Sequence, residues 1–180
     1  MGRIFSLQEI CDRAVPALAS FSVIKERIRA DFQQTDCIVG AIIYGSVLSD
    51  THTERSDIDC FVVYDPGLRR KVKAVLGAIA REAIELHVPV DFTLLDHRIA
   101  KTTLHDIGPL FARHLRAAAD IGGVIKKNPL DMLACNDIHP GQEVRSYLRH
   151  KLRTLETGLV GTFSSEYETF LVLRKAMEAP

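Results

Sequence analysis

The chain has 180 residues, equal numbers of basic (23 Lys and Arg) and acidic (23 Asp and Glu) residues, and 47% hydrophobic residues. This length suits one domain, with at most a helical appendage. The zero net charge excludes a generally basic nucleic-acid coat protein and an acidic disordered chain. The longest apolar run, residues 37–48, is too short to span a bilayer, so we expect no membrane partner. Four cysteines without CxxC spacing predict free thiols and a cytoplasmic location.

Helical patterns open the chain. Ser6 can cap a short helix, which Pro16 interrupts. Ser22 can cap a second helix that reaches residue 34 and carries apolar side chains at helical spacing: Ile24, Ile28 and Phe32.

Three apolar stretches then predict strands. Residues 37–44 form a β-branched run typical of a central strand that is covered on both faces. After a polar loop over 49–56, residues 57–64 predict a second strand. A helical period over 68–86 separates it from a third strand at 89–95.

The remainder is mostly helical, with one short strand predicted at 122–126. The predicted helices cover 110–119, 142–156 and a last segment that the capping box Ser165–Glu168 opens. We therefore predict a catalytic domain over 1–128, which includes the N-terminal helices of 6–34, and a helical appendage over 129–180. The order of elements predicts an α/β or α+β domain.

Three carboxylates in strand contexts carry the chemical signal. Asp57 and Asp59 are two residues apart in a strand, so they face the same side about 6 to 7 Å apart. Asp91 lies between Val90 and Phe92 in the third strand, where an ionised group is costly unless it is paired or bound to a metal. Oxygen ligands suit Mg²⁺, and three carboxylates can hold two such ions around a phosphoryl displacement.

Gly45-Ser46 supplies the complementary half of the predicted site. A glycine at the end of a strand lets backbone N–H groups approach a phosphate closely, and the Ser46 hydroxyl adds a donor. Residues 47 and 48 can begin a short helix, whose N-terminus favours anions. The sequence thus places a triphosphate at Gly45-Ser46 and metal ions at the acidic pair.

Gly45-Ser46, then Asp57-Ile58-Asp59 after ten intervening residues, then Asp91 in a strand, resembles the DNA polymerase β-like nucleotidyltransferase superfamily. The resemblance covers roughly residues 37–127. It implies an α+β fold with a mixed sheet flanked by helices, two Mg²⁺ ions, and transfer of a nucleoside monophosphate from an NTP to a hydroxyl with release of pyrophosphate. Arg55-Ser56 also resembles the family and is a nucleotide-binding candidate. The Arg and second Gly of the G-S-x-A-R-G run of small members are absent.

The resulting hypothesis is a small Mg²⁺-dependent nucleotidyltransferase. Asp57 and Asp59 would bind both metal ions, while Asp91 would bind the catalytic one and help to deprotonate the acceptor. ATP is the expected donor because of its abundance. The acceptor hydroxyl could belong to a small molecule, a protein or an RNA. The alternative is a catalytically degenerate module of the same fold that binds nucleotide or a partner.

Several other residues have competing interpretations. Asp96 is an alternative third metal ligand to Asp91. The helix with Arg145, Arg149 and Arg153 is either a solvated face or a basic wall toward phosphates, and the appendage is expected to form an acceptor wall or a homodimer interface. His105-Asp106 resembles a metal phosphohydrolase dyad, but no partner histidines at a plausible spacing support one. Lys126 and Lys127 either reach phosphates or are surface residues.

Overall fold

The computed structural model describes residues 14–160, and in the last helix it describes side chains only as far as Arg149 and at Leu152. Pro16–Ile138 form one compact unit, and the described residues from His139 onward belong to a second unit. The short helices predicted after Ser6 and after Ser165 lie outside the described residues. The predicted boundary between residues 128 and 129 stays a prediction.

A four-stranded mixed sheet forms the centre of the first unit, in the order β3-β2-β1-β4. The strand bounds are β1 Ile38–Tyr44, β2 Ile58–Tyr64, β3 Val90–Asp96 and β4 Val124–Lys126. Strand β1 is antiparallel to both β2 and β4, whereas β2 and β3 run parallel. All four strands occur where the sequence predicts them, and the expected α+β fold with a mixed sheet is confirmed.

Helices cover the sheet and connect its strands. Their bounds are α1 Leu18–Gln34, α2 Arg69–Glu85, α3 His97–Ala100, α4 Pro109–Asp120 and, in the second unit, α5 Pro140–Val160, with 3₁₀ turns at Pro66–Leu68 and Pro129–Met132. No helix among the described residues is both long enough and apolar enough to cross a bilayer.

Helix α1 begins four residues before the cap that the sequence predicts at Ser22. Ala17 occupies the N-cap position in an extended conformation and makes no side-chain capping hydrogen bond. The helix starts earlier because Phe21 extends its buried stripe, which also contains Ile24, Ile28 and Phe32. Ser22 is therefore an exposed residue in the helix interior rather than a cap.

The two central strands are buried on both faces, as their continuous apolar runs predict. On one face α1 and α2 cover alternate side chains of β1 and β2, including Ile43 and Cys60. On the other face Ile42, Phe61 and Val63 pack with residues of α4. Because strand side chains alternate, Asp59 shares the α4 face with Phe61.

Candidate active site

Three residues lie in one row across three strands at the carboxyl end of β1. Tyr44 of β1 pairs with Asp59 of β2, and Asp59 pairs with Asp91 of β3. Neighbouring strands are about 4.8 Å apart, so the two aspartates occupy adjacent positions on the same face of the sheet. The parallel register of β2 and β3 therefore brings together two of the three predicted ligands.

Asp57 joins this pair from the residue position just before β2. Asp57 and Asp91 are exposed, and Asp59 is half-buried. Burial raises the pKa of Asp59 to about 6, and the negative charges of Asp57 and Asp91 add to the shift. Asp59 thus lies close enough to Asp57 and Asp91 to be affected by both negative charges.

Gly45 makes room for the middle carboxylate. Its φ is +80°, which favours glycine, and a Cβ at this position would lie 2.5 Å from Oδ2 of Asp59. The sequence predicts that Gly45 lets backbone N–H groups approach a phosphate. The geometry adds a second requirement, because any side chain at residue 45 would displace Asp59.

Residues 46–50 form turns, so the short helix predicted at Val47-Leu48 is wrong. The Ser49 N–H donates to the Gly45 carbonyl over 3.4 Å, and the Thr51 N–H donates to the Ser46 carbonyl over 3.0 Å. The chain forms consecutive turns over these residues instead of a helix. Anion binding at this loop would therefore depend on turn N–H groups rather than on a helix N-terminus.

Arg55 and Ser56 lie on the approach to the carboxylates. The Ser56 hydroxyl accepts a hydrogen bond from the Thr53 N–H at 3.0 Å, and the Ser56 N–H donates to the Thr53 carbonyl at 2.9 Å. Arg55 is exposed two residues before Asp57. The Ser56 hydroxyl is already engaged in a hydrogen bond within the loop. Nucleotide binding by Arg55 and Ser56 therefore stays a prediction, and Arg55 is the better candidate of the two.

Tyr44 is a member of the site that the sequence interpretation did not assign a role. Its hydroxyl lies 3.5 Å from Oγ1 of Thr93, and its ring meets Phe111 and His114 of α4 edge to face, with centroid distances of 5.6 and 5.4 Å. Burial raises the pKa of Tyr44 to about 12, to which the charges of Asp59 and Asp91 contribute. The only sequence signal was its position directly before Gly45.

Lys25 of α1 reaches the loop that follows Gly45. Its Nζ lies 3.9 Å from Oδ1 of Asp50, and its side chain is only 19% exposed. The fold brings this cation next to the loop in which the sequence places the triphosphate.

Asp96 is paired with Arg98 and does not belong to the carboxylate row, which consists of Asp57, Asp59 and Asp91. Its Oδ1 accepts the Arg98 N–H at 2.8 Å, capping α3, and its Oδ2 lies 3.0 Å from the Arg98 guanidinium. Arg98 lowers the pKa of Asp96. Since Asp96 lies five residues after Asp91 on β3, this geometry favours Asp91 as the third ligand.

Two other candidates have structural contacts away from the row. Lys126 donates to the carbonyl of Thr35, which precedes β1, whereas Gly45 follows that strand. His105 is buried, with Nε2 at 2.8 Å from the Ala134 carbonyl and Nδ1 at 3.3 Å from the Asn136 amide. These contacts favour a structural role for His105 over a place in a metal dyad. Neither residue is brought to the carboxylates.

The donor chemistry of the carboxylate row fits a hard divalent cation. The described residues contain no group of three or more His, Cys, Asp or Glu side chains that already converges on a metal position. Because like charges repel and Asp57 and Asp91 are exposed, these two side chains have room to turn away from Asp59. Burial, and then repulsion from Asp57 and Asp91, raise the pKa of Asp59, and a bound cation would oppose both effects.

Comparison with known proteins identifies the class of this domain. Residues 26–107 match the family model "Polymerase beta, Nucleotidyltransferase", a segment that contains Gly45, Ser46 and all three aspartates. A solved structure of a "putative nucleotidyltransferase" from Sulfolobus solfataricus is 20% identical, with 44% of this chain and 68% of that chain covered and a TM-score of 0.28. That score is too low to support a shared fold by itself. No curated protein matches significantly.

Residues 26–107 thus match a nucleotidyltransferase domain of the polymerase β-like superfamily. The family resemblance is confirmed, and so is the prediction of a transferase. General nucleotidyl transfer follows from the domain class, and a nucleotide is its substrate in general.

Proposed function

We propose that the protein transfers a nucleoside monophosphate from an NTP, with ATP as the expected donor, to an acceptor hydroxyl and releases pyrophosphate. The observation that carries the proposal is the register of β2 and β3, which pairs Asp59 with Asp91 beside Gly45. Asp57 adds a third negative charge from the end of the preceding loop. A cluster of this kind is costly in an apolar sheet unless it binds a cation.

Asp57, Asp59 and Asp91 would hold two Mg²⁺ ions. Bound Mg²⁺ would supply charge stabilisation at the phosphoryl oxygens and lower the pKa of a hydroxyl bound to it. The loop after Gly45 would orient the β- and γ-phosphates through its N–H groups. Most of the rate enhancement would then come from positioning and charge stabilisation.

The proposed reaction needs no reactant besides the NTP and the acceptor hydroxyl. The acceptor oxygen forms a bond to the α-phosphorus, and the bond from that phosphorus to the bridging oxygen of the β-phosphate breaks. Pyrophosphate leaves with the bonding electrons. Asp91, which is exposed on β3, would take the proton of the acceptor hydroxyl.

The cysteines support a proposed cellular location, and the exposed arginines support a proposed role for the second unit. Cys37 and Cys60 are buried free thiols, which suits the reducing cytoplasm. Helix α5, which belongs to the second unit, exposes Arg145 and Arg149, and we propose a homodimer interface for that unit.

The decisive experiment measures pyrophosphate release from the four NTPs with Mg²⁺ across a panel of small-molecule, protein and RNA 3′-hydroxyl acceptors. Asp59→Asn should abolish release, because it removes the central ligand charge. Asp106→Asn is the matched control, since Asp106 is exposed and follows the structurally bound His105. Equal loss in both variants, or full activity of Asp59→Asn, would contradict the assignment.

The pyrophosphate assay, combined with a binding measurement, separates catalysis from the alternative of a non-catalytic module. Isothermal titration with ATP and Mg²⁺ measures binding independently of turnover. Binding without pyrophosphate release on any acceptor would favour the module. Turnover that requires all three aspartates would favour the enzyme.

A further inference from the structure

We propose that Tyr44 is a positioning residue that ties the edge strand β3 to the centre of the sheet and thereby holds Asp91 in line with Asp59. The inference rests on the proposed function, because it concerns the residues that would hold the metal ions. It assigns the tie to one side-chain contact, between the hydroxyls of Tyr44 and Thr93.

The need for such a tie comes from the position of β3. In the described sheet β3 pairs with β2 alone, and Asp91 is exposed. A ligand on an edge strand has backbone support from one side only. Asp59 belongs to β2, which is paired on both of its edges, and Asp57 directly precedes that strand.

Tyr44 is placed to supply the missing support. It starts from β1, and its hydroxyl reaches Thr93 of β3, so the side chain crosses the position of β2 on the carboxylate face. Thr93 is two residues after Asp91 and shares its face of the strand. The contact of 3.5 Å is long for a hydroxyl pair, so its contribution is expected at the low end for hydrogen bonds.

The ring of Tyr44 is itself held in place. Phe111 and His114 approach it edge to face from α4, and Phe111 also meets Phe61 of β2 at 5.9 Å. An aromatic side chain fixed on two sides loses little entropy when its hydroxyl makes a contact.

The test is a double-mutant cycle with Tyr44→Phe and Thr93→Val, read by calorimetric titration of the full chain with Mn²⁺. Each single variant should weaken Mn²⁺ binding about two- to fivefold, since each loses the same contact. The double variant should be no weaker than the weaker single variant, because a shared contact is lost only once. Activity of Tyr44→Phe should recover at raised metal concentration.

Tyr64→Phe is the matched control, since Tyr64 ends β2 and packs on the opposite face of the sheet. Unchanged Mn²⁺ affinity in folded Tyr44→Phe, or losses that multiply in the double variant, would overturn the positioning role while leaving the proposed function intact. If the unmodified chain bound no Mn²⁺, the proposed function would fail first, and the positioning role would fail with it. Thermal unfolding of each variant reports whether it folds.

Discussion

The carboxylate of Asp59 occupies the space that a side chain at Gly45 would need: a Cβ there would lie 2.5 Å from Oδ2. Gly45 also has a φ of +80°, so two separate physical reasons require glycine at this position. The strand end and the carboxylate are thus mutually dependent. A change at either residue is expected to move the other.

Gly45→Ala should destabilise the protein more than the left-handed backbone alone explains. Gly122 provides the control, because its φ is +86° and a Cβ there would meet nothing within 4 Å. Gly122→Ala should cost about 1 to 2 kcal/mol from backbone strain. Gly45→Ala should cost more and should weaken Mn²⁺ binding, since Asp59 must shift. Equal unfolding free energies in denaturant titrations of the two variants would contradict the predicted clash.

Asp59→Asn should raise the melting temperature of the metal-free protein at neutral pH, although it should abolish transfer. The folded-state pKa of about 6 exceeds the ordinary value of about 3.9 for an aspartate. Between about pH 4 and about pH 6, the folded state therefore keeps a proton on Asp59 that the unfolded state releases. The free energy of unfolding falls as pH rises through this range, because the ionised Asp59 side chain destabilises the fold.

The pH dependence provides the check on that prediction. The advantage of Asp59→Asn should be absent near pH 4 and complete above about pH 6.5. Adding Mg²⁺ at pH 7.5 should stabilise the unmodified protein and not the variant, since ligand binding to the folded state raises its stability. A constant difference in melting temperature across this pH range would show that the charge of Asp59 is not the cause.

Asp91→Asn and Asp96→Asn should separate metal binding from helix capping. Asp91→Asn should lose Mn²⁺ affinity with little change in melting temperature, because its side chain is exposed. Asp96→Asn should lower the melting temperature through the lost ion pair with Arg98 and retain Mn²⁺ affinity. Titration calorimetry and thermal unfolding of both variants decide between them. The reverse pattern would identify Asp96 as the third ligand.

Lys25→Met should weaken ATP binding about two- to fivefold, as expected for a partly exposed charge near a phosphate. The side chain is mostly covered beside the 46–50 loop. Lys71→Met is the control, because Lys71 is paired with Asp36, which precedes β1 rather than following it. Calorimetric titration with ATP and Mg²⁺ measures both. Equal effects would indicate a general charge effect instead of a local one.

The strands were predictable because their apolar runs are continuous and β-branched, and turn residues mark their ends. The start of α1 was missed because a serine at residue 22 satisfies the local preference for a cap, whereas burial of Phe21 extends the helix further. Tertiary packing overrode the local signal there. Val47-Leu48 lie within the turns over residues 46–50 and do not begin the predicted helix.

The three carboxylates could be predicted as candidate ligands, a role that stays a prediction, but the pairing of Asp59 with Asp91 across the sheet could not be predicted. Charged residues within apolar strands identify Asp59 and Asp91, yet only the pairing of β2 with β3 places them opposite each other. The role of Tyr44 was not predictable, because its contact with Thr93 joins residues 49 positions apart. The sequence did not decide between Asp91 and Asp96 as the third ligand, and the bond of Asp96 to Arg98 in the structure favours Asp91.

The position of β3 at the edge of the described sheet has a consequence for how the protein associates with itself. An edge strand is a template for pairing with another chain, most of all when it can fray. Metal ions held jointly by Asp91 of β3 and Asp59 of β2 would fasten that strand to its neighbour. The metal-bound protein should therefore resist edge-to-edge aggregation during storage better than the metal-free protein does.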